Sequence, residues 1–155
     1  MLKSFAVLAV VVAGLMLAPS GLSAQTNTRI GTWKLNLAKS KFEHSPAPKS
    51  ETRVFTVFQG DGISADFTLV NAAGQTVKTS YSVKYDGKDY PYKGPLGDTM
   101  SITRGSDGVT TAIVKKAGAV VATTKTSVSA DGKTMTQTSS YPDNAKLDVR
   151  VLDKQ

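Results

Sequence analysis

Hydrophobic and polar side chains alternate with a period of two along most of the chain after residue 50. Ala65 and Phe67, for example, lie on one face of an extended chain, and Asp66 lies on the other. This period is typical of a strand that buries one face and exposes the other. No window after residue 50 has the spacing of a helix, so the sequence predicts a protein built from β-strands.

Turn-forming residues separate the alternating segments at nearly regular intervals. Gly, Asn and Asp supply the positive φ angles of tight turns and Pro supplies a fixed φ, and such residues cluster at 60–62, 71–74, 86–87, 94–98, 105–108, 117–118, 131–132 and 142–144. Short strands with regular turn signals are typical of a sandwich or a barrel. The predicted strands span residues 30–37, 52–59, 62–70, 76–85, 88–93, 98–104, 109–116, 119–129, 133–141 and 145–152.

One long connection covers residues 38–51 and contains two closely spaced prolines, Pro46 and Pro48. Its first half is predicted to form a helical turn capped near Asn36. Its second half is expected to stay extended, because proline fixes its own φ and keeps the preceding residue out of the helical region.

The other connections have the length of hairpin turns, which makes most of the strands antiparallel neighbours. A meander of this length would leave two long edges, and closure removes the unpaired edge groups. We therefore predict an all-β fold, an antiparallel up-and-down meander barrel of about ten strands in which the last strand pairs with the first. That last strand repeats the half-buried alternation and sets Leu147, Val149 and Val151 against Lys146, Asp148 and Arg150.

The first 24 residues have a different character. A short positive start is followed by an apolar run over residues 5–17, a Pro-Ser-Gly break and small residues before a plausible cleavage site after Ala24. This is the layout of a secretory signal peptide, and the run is shorter than an ordinary membrane-spanning helix. We predict a signal peptide at residues 1–24 and a single β-barrel domain at 25–155, periplasmic or secreted and without stable membrane insertion. An uncleaved membrane anchor is the alternative.

Composition excludes several kinds of chemistry. The chain has no cysteine, which removes thiol catalysis, Cys-ligated zinc and iron–sulfur clusters. The formal net charge is +7, but Lys115-Lys116 is the only adjacent basic pair. Because the positive charges are scattered along the chain, we expect them to favour solubility and weak attraction to anionic surfaces, and we expect no nucleic-acid partner. We further expect no cofactor and a monomeric protein.

Candidate catalytic and metal-binding residues do not form a recognisable site in the sequence. His44 is the only histidine and lies in the proline-rich connection, and one histidine cannot build a zinc site. No Gly-x-Ser-x-Gly elbow is present. Aspartates such as Asp86 and Asp131 fall in turns, where their side chains bond to nearby backbone. We therefore predict no metal site, no catalytic site and no enzymatic activity; a hydrolase or isomerase of unrecognised type is a minor alternative.

The first predicted strand opens with Gly31-Thr32-Trp33-Lys34-Leu35-Asn36, which contains the only tryptophan. Gly31-x-Trp33 resembles the first signature of the lipocalins and their calycin relatives, and the longer string is similar to the opening of intracellular fatty-acid-binding proteins. Together with 39–42, 46–49, 85–91 and 131–136, it is similar to small exported bacterial proteins described as hypothetical or lipocalin-like, over nearly the whole mature chain.

This resemblance implies a calycin-type barrel with Trp33 at the closed end, beneath a basic side chain from late in the barrel, for which Arg150 is the candidate. The indole is expected to be buried with its N–H bonded to a backbone carbonyl, and Arg150 would provide a cation–π contact. The Arg-x-Tyr carboxylate clamp of fatty-acid-binding proteins is represented only by Arg150-Val151-Leu152, so its tyrosine is missing.

Residues 109–140 are rich in hydroxyl side chains. These strands either line a small polar cavity or form an exposed face of a flatter sheet; a dry, packed interior is the least favoured, because an unpartnered buried hydroxyl costs about 1–3 kcal/mol. The residues concerned are Thr110, Thr111, Thr123, Thr124, Thr126, Thr134, Thr136 and Thr138.

The leading functional hypothesis is a non-enzymatic exported binding protein that holds a small hydrophobic or amphipathic ligand inside the barrel. The alternative is an envelope protein-interaction module with a packed interior and functional loops such as 38–51 and 86–98. Tyrosines clustered at 81–92 suit either core packing or a pocket lining. The candidate ligand-binding residues are Phe67, Tyr81, Val83, Tyr85, Tyr92, Met100, Ile102 and Arg104.

Overall fold

The computed structural model of the protein describes residues 27–155. The predicted signal peptide lies outside the described residues. A short 3-10 helix, Leu37–Lys39, is the one helical element within 27–155. The strands are β1 (Gly31–Leu35), β2 (Lys41–Phe42), β3 (Ser50–Phe58), β4 (Gly62–Val70), β5 (Thr76–Val83), β6 (Tyr90–Lys93), β7 (Thr99–Arg104), β8 (Thr110–Lys116), β9 (Ala119–Val128), β10 (Thr134–Tyr141) and β11 (Asn144–Lys154).

The strands form a closed antiparallel barrel. Each strand from β3 to β10 pairs with its successor, while β1 pairs with β3 on one side and with β11 on the other. Trp33 of β1 lies opposite both Arg53 of β3 and Lys154 of β11. The predicted all-β meander barrel of ten strands and its closure between the first and last strands are therefore confirmed.

The long connection holds one strand that the sequence did not predict. β2 has two residues and pairs with β11 at Asp148 and Val149. The predicted helical turn near Asn36 is confirmed, since the Asn36 side chain accepts a hydrogen bond of 3.2 Å from the Lys39 N–H. No helix within residues 27–155 has the length and apolar character required to cross a membrane.

The lower half of the barrel, at the end that carries the β3–β4 and β7–β8 turns, is packed with hydrophobic side chains. Residues 27–30, which precede β1, contribute to this end: the buried Trp33 donates its indole N–H to the Arg29 carbonyl oxygen at 2.8 Å. The expected bond from Trp33 to a backbone carbonyl is thus confirmed. The side chains here with at most 1% exposure are Trp33, Phe55, Ile63, Ala65, Val83, Ile102, Met135 and Leu152.

The predicted contact between Trp33 and Arg150 is wrong. Lys154 occupies the position over the indole, with its Nζ 5.3 Å from the ring centroid, because Lys154 is the β11 residue in register with Trp33. Arg150 lies four positions earlier, which is about 13 Å along a strand. Its guanidinium instead lies over the ring of Phe42, 5.0 Å from the centroid.

The half-buried alternation of β11 is present, but the buried face carries charge. Asp148 is fully buried and the Arg150 side chain is 15% exposed, whereas Leu147 is 38% exposed. Arg150 lies opposite Gln137 of β10, and Asp148 lies opposite Ser139. These inward polar side chains have partners inside the barrel, so Leu147, Val149 and Val151 face outward, and only Leu152, at the lower end of the strand, joins the core.

Candidate functional site

A cavity of about 670 Å³ occupies the upper half of the barrel, above the packed core. Its mouth lies between His44 and Ser45 on one side and the turns at the upper end of the barrel, where Leu96 and Val120 remain 38% and 42% exposed. Residues from every strand between β3 and β11 contribute to its lining. The interior is therefore packed at one end and hollow at the other.

One wall of the cavity is mainly apolar. Its aromatic side chains contact one another in sequence along the wall: Phe67 and Tyr81 have ring centroids 5.6 Å apart, and Tyr81 and Tyr92 have centroids 6.4 Å apart. Burial raises the pKa of Tyr81, and the positive charges of Arg29 and Arg53 oppose this effect. The wall also contains Leu69, Val77, Met100, Ala112, Val114, Val121 and Ala122.

The opposite wall, formed by β3, β10 and β11, is polar and charged. The Arg53 Nε donates to the Glu51 carboxylate at 2.5 Å, and its Nη1 donates to the Gln137 side-chain oxygen. Gln137 donates in turn to the Thr126 hydroxyl at 3.1 Å. The second Glu51 oxygen lies 3.5 Å from the Arg150 Nε. Glu51 therefore lies between two arginines, in a network that is almost completely removed from solvent.

Arg29 belongs to residues 27–30, which precede β1 and form no strand, and its side chain extends into the barrel interior. It is 5% exposed, donates from Nη1 to the Thr110 hydroxyl at 3.1 Å, and lies over Phe55 with its Cζ 4.8 Å from the ring centroid. Among residues 27–155, no carboxylate lies within 4.0 Å of its nitrogens, and its Nε has no hydrogen-bond partner. Arg29 also belongs to the cavity lining.

The Asp148 side chain holds residues 43–45, at the mouth of the cavity, against β11 through hydrogen bonds. Its Oδ1 accepts hydrogen bonds from the backbone N–H groups of Glu43, His44 and Ser45 at 3.0–3.2 Å, and its Oδ2 accepts one from the Tyr141 hydroxyl at 3.2 Å. His44 stacks on Tyr141 with ring centroids 3.7 Å apart. Its Nε2 lies 3.1 Å from the Asp143 carboxylate, and this hydrogen bond lowers the pKa of Asp143.

The structure brings half of the sequence-predicted ligand-binding residues to the cavity. Phe67, Tyr81, Tyr92 and Met100 line it. Val83 and Ile102 face inward but lie in the packed core, because they occupy the lower ends of their strands. Tyr85 and Arg104 stack on each other below the cavity, with the Arg104 Cζ 3.9 Å from the Tyr85 ring centroid.

The polar lining was not predicted, apart from the hydroxyl groups. Thr124 and Thr126 line the cavity and Thr110 is buried beside Arg29, so the polar-lined interior is the correct one of the two alternatives. The sequence does contain a signal for the charged wall. The side chains of Glu51 and Arg53 fall on the same face of β3 as Phe55, and Gln137 falls on the same face of β10 as Met135.

Comparisons with known proteins identify the fold. No protein-family model matches the chain, and no curated protein is significantly similar to it. In residues 27–155, no group of three His, Cys, Asp or Glu side chains could hold a metal ion. The chain is similar to a crystal structure of a mutant of the fluorescent protein UnaG, with a TM-score of 0.59, 14% identity, and coverage of 83% of this chain and 96% of that one. For wild-type UnaG, the TM-score is 0.57 and the identity 14%, with coverage of 83% and 98%. The architecture is thus that of a closed barrel of the lipocalin and fatty-acid-binding-protein type.

Proposed function

We propose that this protein binds a small amphipathic ligand in the barrel cavity and catalyses no reaction. The observation that carries the proposal is the cavity itself, which has about 670 Å³ of space between an apolar wall and a charged one. Small-molecule sites commonly have volumes of roughly 300–1,000 Å³ and combine hydrophobic lining with a few placed polar groups. A ligand with an apolar body and a polar end matches both walls.

The mouth supports entry of such a ligand. Leu96 and Val120 form part of an apolar rim, which can contact the hydrophobic part of a molecule before it is enclosed. The alternative of an interaction module depended on a packed interior, and the upper half of this barrel is hollow. We therefore retain ligand binding as the single functional proposal.

Export and a monomeric state belong to the same proposal. The sequence of residues 1–24 supports export, because it has the positive, apolar and small-residue regions of a signal peptide. Closure of the barrel supports a monomer, since β1 and β11, which would be the two edges of an open sheet in residues 27–155, pair with each other.

Titration with Nile red, a neutral dye whose emission rises in apolar surroundings, tests ligand binding. We expect saturable binding with one site per chain, and we expect lipids from a total membrane extract to displace the dye. Organic extraction of the purified protein, followed by mass spectrometry, would identify any ligand that co-purifies. A hollow barrel that binds neither the dye nor any component of the extract would refute the proposal.

Val77→Trp is expected to weaken Nile red binding by at least about tenfold, because Val77 lines the cavity and the larger ring would occupy part of it. The matched control is Lys78→Trp, which adds the same ring one residue later, on the exposed outer face of β5. Circular dichroism should show the same β-sheet spectrum for both variants. Equal loss of binding in the two variants would place the dye outside the cavity.

A further inference from the structure

The charged residues that face the interior do not balance. Three arginines, Arg29, Arg53 and Arg150, accompany two carboxylates, Glu51 and Asp148. Glu51 lies between Arg53 and Arg150, at 2.5 Å and 3.5 Å. Asp148 is already bonded by three backbone N–H groups and one hydroxyl. At the level of the cavity, the inward charged side chains of residues 27–155 therefore carry one more positive than negative charge, and Arg29 is the one of these three arginines without a carboxylate partner.

Burial of an unpaired guanidinium is costly, because the charge loses its hydration and gains no counter-ion. The Arg29 guanidinium donates to the Thr110 hydroxyl and lies beside the Tyr81 hydroxyl, while its Nε has no partner. A guanidinium offers five N–H donors in a planar fork, so part of this fork is free. That fork matches the two oxygens of a carboxylate. The side chain lies at the base of the cavity, between the packed core and the open space above it.

We propose that Arg29 anchors the acid group of the ligand, so that the physiological ligand is an amphipathic monoanion bound with its carboxylate at the base of the cavity. This inference rests on the proposed ligand-binding function. One excess positive charge fits one negative charge on the ligand, and the apolar wall from Phe67 to Val77 accommodates its hydrophobic body. Arg53 and Arg150, unlike Arg29, each have a carboxylate within 4.0 Å, and they provide the surrounding positive field.

The anchor does not come from the sheet. Arg29 precedes β1, and its backbone is held at the lower end of the barrel by the hydrogen bond from Trp33 to the Arg29 carbonyl oxygen. Its side chain reaches Thr110 of β8 and Phe55 of β3. The Trp33 bond is made to the backbone, so replacement of the Arg29 side chain leaves this attachment intact.

A pair of probes that differ only in charge tests the inference. We expect wild-type protein to bind dansylaminoundecanoic acid at least tenfold more tightly than its methyl ester. Arg29→Gln is expected to remove this preference by weakening binding of the acid while leaving the affinity for the ester unchanged. Arg104→Gln is the matched control, because Arg104 lies outside the cavity on the ring of Tyr85, and it should retain the preference.

A second measurement uses wild-type protein alone and so does not depend on the folding of a variant. Decanoate labelled with carbon-13 in its carboxyl group is titrated with acid while bound, and its chemical shift is followed. A carboxylate paired with a buried arginine titrates below its value in free solution, so we expect a lowered pKa for the bound acid. An unchanged or raised pKa would overturn the inference.

The outcomes separate the inference from the function on which it rests. If Arg29→Gln folds and still prefers the acid to the ester as strongly as wild type does, the anchor is not Arg29 and the inference fails while ligand binding stands. If neither the acid nor the ester binds to wild-type protein, the proposed function fails and the inference fails with it.

Discussion

Arg53→Met is expected to lower the free energy of unfolding by about 3–5 kcal/mol, the usual cost of removing one partner from a buried ion pair. The substitution leaves Glu51 buried with only the longer contact to Arg150, and it removes the donor to the Gln137 side chain. Urea denaturation followed by the fluorescence of Trp33, the single tryptophan, measures the change.

Two comparisons make this result specific to the buried pair. Arg104→Met removes an arginine that stacks on Tyr85 outside the cavity, and it should change the free energy of unfolding far less. The double variant Glu51→Met with Arg53→Met should lose about 0.5–3 kcal/mol less than the sum of the single variants, because no unpaired Glu51 remains. A loss below about 1 kcal/mol for Arg53→Met would mean that the pair behaves like a solvent-exposed one.

The strands and their closure could be predicted because the determining information is local and repetitive. The alternation around Phe67 identifies a half-buried strand, and the Gly and Asp residues of the turns determine where each strand ends. Closure of the barrel could be predicted because an open sheet of this length would leave unpaired backbone N–H and C=O groups along its two edges. The two-residue β2 carried no such signal, since its pairing depends on Asp148 of β11, more than 100 residues away along the chain.

The candidate site was harder to predict, because alternation divides a strand into two faces without saying which face is inside. In the upper part of β11 the usual assumption that aliphatic residues face the core fails, since Asp148 and Arg150 have partners inside the barrel. Arg29 lies in no strand, so no periodicity marks it. Its position depends on the tertiary contact between its carbonyl oxygen and Trp33, which a single sequence does not reveal.

Asp148→Ala is expected to destabilise the protein by about 3–5 kcal/mol, because several charge-assisted hydrogen bonds would be lost and their donors left without an acceptor. The donors are the backbone N–H groups of residues 43–45 and the Tyr141 hydroxyl. Urea denaturation measures the loss, and hydrogen exchange should accelerate most at the amides of 43–45. Asp131→Ala is the control, since that exposed aspartate bonds only within the β9–β10 turn, and its effect should be much smaller.

Asp148 is also expected to make the free energy of unfolding depend on pH in the acid range. Burial by itself raises the pKa of Asp148, but hydrogen bonds from Ser45 and His44 and the charge of Arg150 together bring the pKa below its ordinary value. A carboxyl group whose pKa is lower in the folded state than in the unfolded state, where it is about 3.9, stabilises the protein above that pH. The contribution is lost as pH falls through the folded pKa.

Asp148→Asn isolates this effect, because the amide keeps one oxygen acceptor for the segment at the mouth but cannot titrate. We expect the variant to be less stable than wild type at neutral pH, and the difference to shrink as the pH falls below about 3.9. Urea denaturation at a series of pH values between neutral and acid measures it. A stability difference that stays constant across this range would show that the charge of Asp148 does not hold residues 43–45, and that its shape and hydrogen-bonding geometry alone account for its role at the mouth of the cavity.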